Sequence, residues 1–150
     1  MEQPAIDILN TNRIMTIATV RPDGWPQATI VGYANEGWSL YFVVYRNSQK
    51  FANIAHDNRV AVTVGHEPPE INQIKAVYAG CEVSELTDLR ERSHAWDLLA
   101  QRHPNLTDLA PSRNEEVATM IAHCRHVSVL DYAQGLGHTE ELTIGSPAKA

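Results

Sequence analysis

The sequence predicts a mainly β protein with α+β character, an antiparallel barrel whose strands are joined by tight turns and bridged by short helices. Three observations carry this. Successive segments are rich in β-branched and aromatic residues, several of them in near alternation. Clusters of Gly, Pro, Asn and Asp punctuate them at short intervals, most densely in the first half. A chain of 150 residues, with 43% hydrophobic and 20% charged side chains, is long enough for one core and not comfortably for two.

The elements are taken in chain order. A short helical lead around Ile6 to Asn10 precedes Ile14 to Val20, a strand that stops at Pro22-Asp23-Gly24. Proline fixes φ and glycine tolerates positive φ, so this is a hairpin turn. Pro26 to Tyr33 is the second strand, Asn35-Glu36-Gly37 the next turn, and Trp38 to Tyr45 the third strand, which predicts three neighbours in a β-meander. Asn47 and Ser48 are good helix N-caps, and Phe51, Ile54 and Ala55 come after them at helical spacing until Asp57-Asn58. Arg59 to Gly65 alternates as a fourth strand, Pro68-Pro69 marks His66 to Asn72 as a loop, and Gln73 to Leu86 is a long fifth strand. From Thr87 the period changes: Leu89, Trp96 and Leu99 share a helical face, and Pro104 and Pro111 break the next segment. Ser112-Arg113-Asn114-Glu115 is a capping box that predicts a helix running to about His123. Arg125 to Tyr132 is the sixth strand, Leu142 to Ile144 a short extension, and Gly145 to Ala150 a frayed tail.

A net charge of −6 disfavours nucleic acid and anionic membranes as partners, since both need clustered Lys and Arg. No stretch approaches the roughly 18 consecutive apolar residues of a membrane span, and Met1-Glu2-Gln3-Pro4 lacks the basic-then-apolar pattern of a secretory signal. The expectation is a cytoplasmic protein. Cys81 and Cys124 lie in apolar-patterned stretches and read as small core residues, although count alone also allows a disulfide. His123, Cys124 and His126 carry metal-compatible atoms, but a helix end running into a strand would scatter them, and no fourth ligand stands at a recognised interval. No metal is expected. Ser93-His94 lacks the flanking glycines of a nucleophile elbow, so nothing points to hydrolysis.

The chemistry concentrates between Tyr45 and Lys50. A helix N-terminus offers free backbone N–H groups and a partial positive charge, Ser48 adds a hydroxyl and Lys50 a full charge. Together they make a phosphate seat.

The order strand, turn, strand and then YRNSQKFANIAHDNRVAV places Ser48-Gln49-Lys50 at a helix start and Asn58-Arg59-Val60 at a strand start. Over roughly residues 9 to 86 this resembles the FMN-binding split barrel of the pyridoxamine 5'-phosphate oxidase-like superfamily. The resemblance implies a six-stranded split β-barrel, a homodimer with shared cofactor sites, FMN as cofactor and a small-molecule redox substrate. It sets Thr29, Ile30 and Val31 on the strand along the flavin, with Thr29 where many relatives have an Arg on the phosphate. Arg46 is then a candidate substitute beside Ser48, Gln49 and Lys50. Val43 and Val44 match positions beside the ring and ribityl chain, and Lys75 a residue that reaches the flavin held mainly by the partner subunit. The loop from Asp131 to His138 resembles a DYxxGxGH ending that closes over the ring face, which makes His138 a candidate for the flavin or a substrate. Ala34 stands where a Lys for the substrate phosphate is expected, and an Arg-x-His ending is absent, so oxidation of pyridoxamine phosphate itself is not expected. No catalytic residue is assigned, because hydride or electron transfer belongs to the flavin. Alternatives on the same barrel are a deazaflavin-dependent reductase, which usually needs a more basic groove, and a flavin- or haem-binding module without turnover.

Overall fold

The structure, a computed structural model, describes residues 2–106 and 116–145. In chain order the elements are α1 (Glu2–Thr11), β1 (Ile14–Val20), β2 (Pro26–Gly32), β3 (Ala34–Glu36), β4 (Ser39–Tyr45) and α2 (Gln49–His56), followed by β5 (Arg59–Gly65), β6 (Lys75–Glu85), α3 (Leu89–Arg102), β7 (Val117–Asp131) and β8 (Thr139–Thr143). The strands form one antiparallel sheet in the order β2-β1-β5-β6-β7-β4-β3, with β8 added beside β7. Ile17, Phe42, Val62, Val77 and Met120, drawn from both halves of that order, meet in a single core, so the sheet curls into a split barrel. Ala5 and Leu9 of α1 and Ile54 of α2 belong to the same core. No helix among the described residues is long and apolar enough to cross a membrane.

The described residues hold eight strands rather than six. The short β3 takes residues read as turn, and β8 extends the predicted segment at Leu142, which packs on the core with Ile144. The predicted meander also needs correction. β1 and β2 pair as a hairpin from Val20↔Pro26 to Ile14↔Gly32, but β4 pairs with β3 and β7 and not with β2. The cause is Tyr33, which is fully buried: its hydroxyl donates to the Leu9 carbonyl (2.6 Å) and its N–H to the Arg13 carbonyl (3.0 Å). The chain is thereby drawn across the gap between the two ends of the sheet. That gap, with β2 on one side and β4 on the other, is the seam of the barrel.

The helix predicted to reach His123 is replaced from Val117 onward by β7. Met120, Ala122 and Cys124 point into the barrel, while Ile121 packs with Tyr41, Ala95 and Leu99 beneath α3. Thr119 Oγ1 accepts the Trp96 indole N–H at 2.9 Å. Burial on both faces removes the two-residue alternation that marks a strand. A bulge at Arg125, where Gly80 pairs with His126 and Cys81 with Cys124, then switches the inward positions to Val127 and Val129. Pro111, the capping box Ser112 to Glu115 and the tail from residue 146 lie outside the described residues. Cys81 and Cys124 are buried free thiols with their sulfurs 3.6 Å apart.

Candidate functional site

Helix α2 starts at Ser48, whose extended backbone (φ −84°, ψ 154°) lets its hydroxyl accept the Phe51 N–H at 3.1 Å. The same hydroxyl donates to the Tyr45 carbonyl at 2.7 Å. Ser48 therefore shapes the helix start with its own hydroxyl, and the amides of Gln49 and Lys50 are left without an intrahelical acceptor. Asn53, fully buried, clamps α2 to the β1–β2 hairpin: its Nδ2 donates to Thr19 Oγ1 and Gln27 Oε1, both at 3.0 Å, and its Oδ1 accepts Gln49 Nε2 at 2.8 Å. The Gln49 side chain is thus spent on orienting the helix.

The two cations of the segment differ. Arg46 makes paired hydrogen bonds to Glu85 at 3.1 and 2.7 Å and lies over the Phe51 ring, 5.7 Å from its centroid. The Glu85 bond raises its pKa, and an incoming anion would have to compete with that carboxylate. Lys50 is half-buried and makes no ion pair among the described residues, and burial lowers its pKa. A partly desolvated ammonium on a helix start whose first amides lack an intrahelical acceptor is a group of donors that an anion can satisfy.

From α2 the inner face of β2 leads along the seam. Gln27, Thr29 and Val31 are half-buried, whereas Ala28 and Ile30 between them are exposed. Ile30, 70% exposed, therefore faces away from Thr29 and Val31. Thr29 Oγ1 is buried and has no hydrogen-bond partner among the described residues. Val31 lines a cleft of about 320 Å³ with Gly32, Val43, Leu99, His103 and Leu106. Val44 points instead into the barrel core at 5% exposure, and its backbone faces β7, in the same hydrogen-bonding phase as the Arg46 N–H on the Glu116 carbonyl, so the backbone groups turned to the seam are those of Val43. Beyond Tyr41, β4 is paired with β7 on one edge and has no strand on the other among the described residues. The sequence of surfaces is a cationic helix start, an unpartnered hydroxyl and an apolar cleft with an open strand edge. It matches a ligand with an anionic head, a hydroxyl-bearing middle and a flat apolar end.

Gly32 and His103 escaped the sequence reading, and Leu99 entered it only as part of a helical face, because α3 reaches the seam only through tertiary packing. A Cβ on Gly32 would lie 3.0 Å from His103 Cε1, a close approach that was visible in the sequence only as an isolated glycine in a strand.

Lys75 and His138 lie at the other end of the barrel. β6 has 11 residues, so at about 3.3 Å per residue its ends are on the order of 30 Å apart. Lys75 pairs with Asp131 at one end, while Glu85 holds Arg46 at the other. The Asp131 N–H donates to the His138 carbonyl at 3.0 Å, and His138 Nε2 is 3.6 Å from Glu140 Oε2. Within one chain neither Lys75 nor His138 joins α2. On β7, His123 Nδ1 is 3.1 Å from Ser39 Oγ, Cys124 is buried and His126 is exposed. No group of three or more His, Cys, Asp or Glu among the described residues is placed to hold a metal ion.

Comparison with known proteins agrees with this architecture. A haem-binding protein from Mycobacterium smegmatis superposes with a TM-score of 0.82 at 17% identity, covering 95% of this chain and 57% of that one. ChuZ of Campylobacter jejuni gives 0.80 at 11% identity, with 95% and 58% covered. The chain thus spans less than three-fifths of the length of these two proteins. A FAD-binding protein from Mesorhizobium loti gives 0.70 at 23% identity, covering 85% of this chain and 91% of that one. No curated protein matches the sequence. The family model for pyridoxamine 5'-phosphate oxidase matches residues 1–128, the whole stretch that builds the helix start, the inner face of β2 and the cleft, and the chain belongs to that family.

Proposed function

We propose that the chain binds FMN along the seam between β2 and β4 and acts as an FMN-dependent oxidoreductase on a small-molecule substrate. The observation that carries the reading is Lys50, a half-buried ammonium with no counter-ion among the described residues, set beside the free amides of a helix start. The phosphate would sit there, on Lys50 and the amides of Gln49 and Lys50. Thr29 Oγ1, buried and unpartnered, would gain a hydrogen bond from the ribityl chain. Val31, Val43 and the open edge of β4 would hold the ring. When bound, the flavin supplies hydride or electron transfer. The chain binds the phosphate, orients the ring and keeps water from its apolar face. With Arg46 paired to Glu85 and Thr29 in place of an arginine, Lys50 is the main cation of the seat.

Dimerisation belongs to the same reading, since Lys75 and His138 reach this seam only from a second copy. The outer sheet face supports it. Ile30, Thr16, Thr63 and Tyr78 lie side by side across β2, β1, β5 and β6, and Ala28, Ala18, Ala61 and Gly80 form the next row. Neither row carries a charge, as expected of a face that is covered by another copy.

The test is to titrate purified protein with FMN, following the visible flavin band and quenching of flavin fluorescence, with saturation at one FMN per chain expected. A protein that takes up no FMN overturns the reading. Haem is a second reading, favoured by the 0.82 superposition on the mycobacterial haem-binding protein. Added haemin giving a Soret band, with no uptake of FMN, would decide for it.

A further inference from the structure

We propose that His103 faces the bound ligand in the β2–β4 cleft and that its Nδ1 accepts a hydrogen bond from a ring N–H of the cofactor. This rests on the flavin reading and names a polar contact within the apolar part of the site. The cleft is walled mainly by aliphatic side chains, and His103 is the titratable group among its lining residues. Its Nε2 lies 2.9 Å from the Tyr33 carbonyl oxygen. A carbonyl only accepts, so Nε2 carries a proton, and in the tautomer that this bond selects Nδ1 is the bare acceptor. Nδ1 has no partner among the described residues.

The ring is held firmly. His103 is the C-cap of α3, with its backbone N–H on the Leu99 carbonyl at 2.8 Å, and its imidazole rests on Gly32 with the room that only a glycine leaves. An oriented acceptor in an apolar cleft complements a flat ring with an N–H on its edge, and a ligand without one leaves Nδ1 unpaired at a cost. The isoalloxazine ring carries such an N–H. A haem macrocycle has none on its edge, so the contact selects between the two ligand classes.

The experiment uses nitrogen-15-labelled full-length protein with FMN as probe. The His103 resonances are assigned by their loss in His103→Leu, and FMN affinity is measured for wild type, His103→Leu and His103→Asn. The expected result is that FMN saturation moves the His103 Nδ1 resonance, His103→Leu weakens binding roughly 2- to 12-fold, the loss of one net hydrogen bond, and His103→Asn, which keeps an acceptor near that position, recovers part of it. If wild type binds FMN while the Nδ1 resonance stays still and His103→Leu binds equally well, the inference is overturned and the flavin reading stands. If wild type takes up no FMN, both fall. Should His103→Leu fail to fold, the Nδ1 resonance of the wild-type protein, assigned in His103→Asn, decides alone.

Discussion

Lys50 works against the fold that holds it. Its pKa is lowered from 10.5 by burial, so below that value the unfolded chain binds the proton more tightly, and the ligand-free protein gains stability as pH rises toward 10.5. Lys50→Met removes this rise, leaving the melting temperature of the ligand-free protein at pH 7 unchanged or higher. The same substitution should weaken FMN roughly 10- to 150-fold, the worth of one charge-assisted hydrogen bond. A lower melting temperature with undiminished FMN affinity would make Lys50 a structural residue. His123 titrates in a different window. Burial, then Arg125, lower its pKa from 6.5, with Glu82 opposing. The folded protein thus favours the neutral ring: its contribution is complete above 6.5 and is lost as pH falls from there through the lowered value. Urea midpoints at pH 7.5 and 5 should fall less with acid in His123→Asn, which keeps an acceptor for the Ser39 hydroxyl. Equal acid sensitivity in the two proteins would sink the assignment.

At the scale of elements, α2 places the proposed anion seat, and Asn53 places α2. Asn53→Leu leaves Thr19, Gln27 and Gln49 without their shared partner. It should cost about 2–3 kcal/mol and lower the melting temperature by roughly 4–12 °C. FMN affinity should drop with it, and a variant that melts at the wild-type temperature would show that the amide does not anchor the helix. These elements also show what a sequence displays and what it conceals. The end of β1 and the starts of β2 and α2 were legible because Pro22-Asp23-Gly24 and Ser48 act on their own neighbours, and β5 was legible because only one of its faces is buried. The alternation of Gln27, Thr29 and Val31 with Ala28 and Ile30 gave the site its inner wall in the same way. β7 was hidden because α3 covers its outer face, so Val117 to Cys124 reads as an apolar run of no clear period. The partner of β4 was hidden because the turn inward at Tyr33 depends on α1, many residues away in sequence. For the same reason Ser48 and Lys50 were accessible from the chain alone, while His103 on Gly32 was not. Arg46 looked available until Glu85, on another strand, was brought beside it.

For the whole molecule, the open question is what covers the sheet face opposite the core. Ile30 is 70% and Tyr78 40% exposed, and the small uncharged residues between them leave a flat surface on which two copies related by a twofold axis can pack. Ile30→Arg separates association from folding. In an isolated chain so exposed a position tolerates charge at under about 0.5 kcal/mol, whereas in a dimer the guanidinium would be buried without a partner. Sedimentation should give twice 16.7 kDa for wild type and 16.7 kDa for Ile30→Arg, with little change in the circular dichroism spectrum. FMN binding should weaken together with association, because Lys75 and His138 stand at the far end of β6 in their own chain and in the proposed dimer would reach the seam across the interface. A variant that remains dimeric would place the interface on another face. A monomer that binds FMN as tightly as wild type would show that one chain completes the site, and that Lys75 and His138 belong to the separate end of the barrel where the structure puts them.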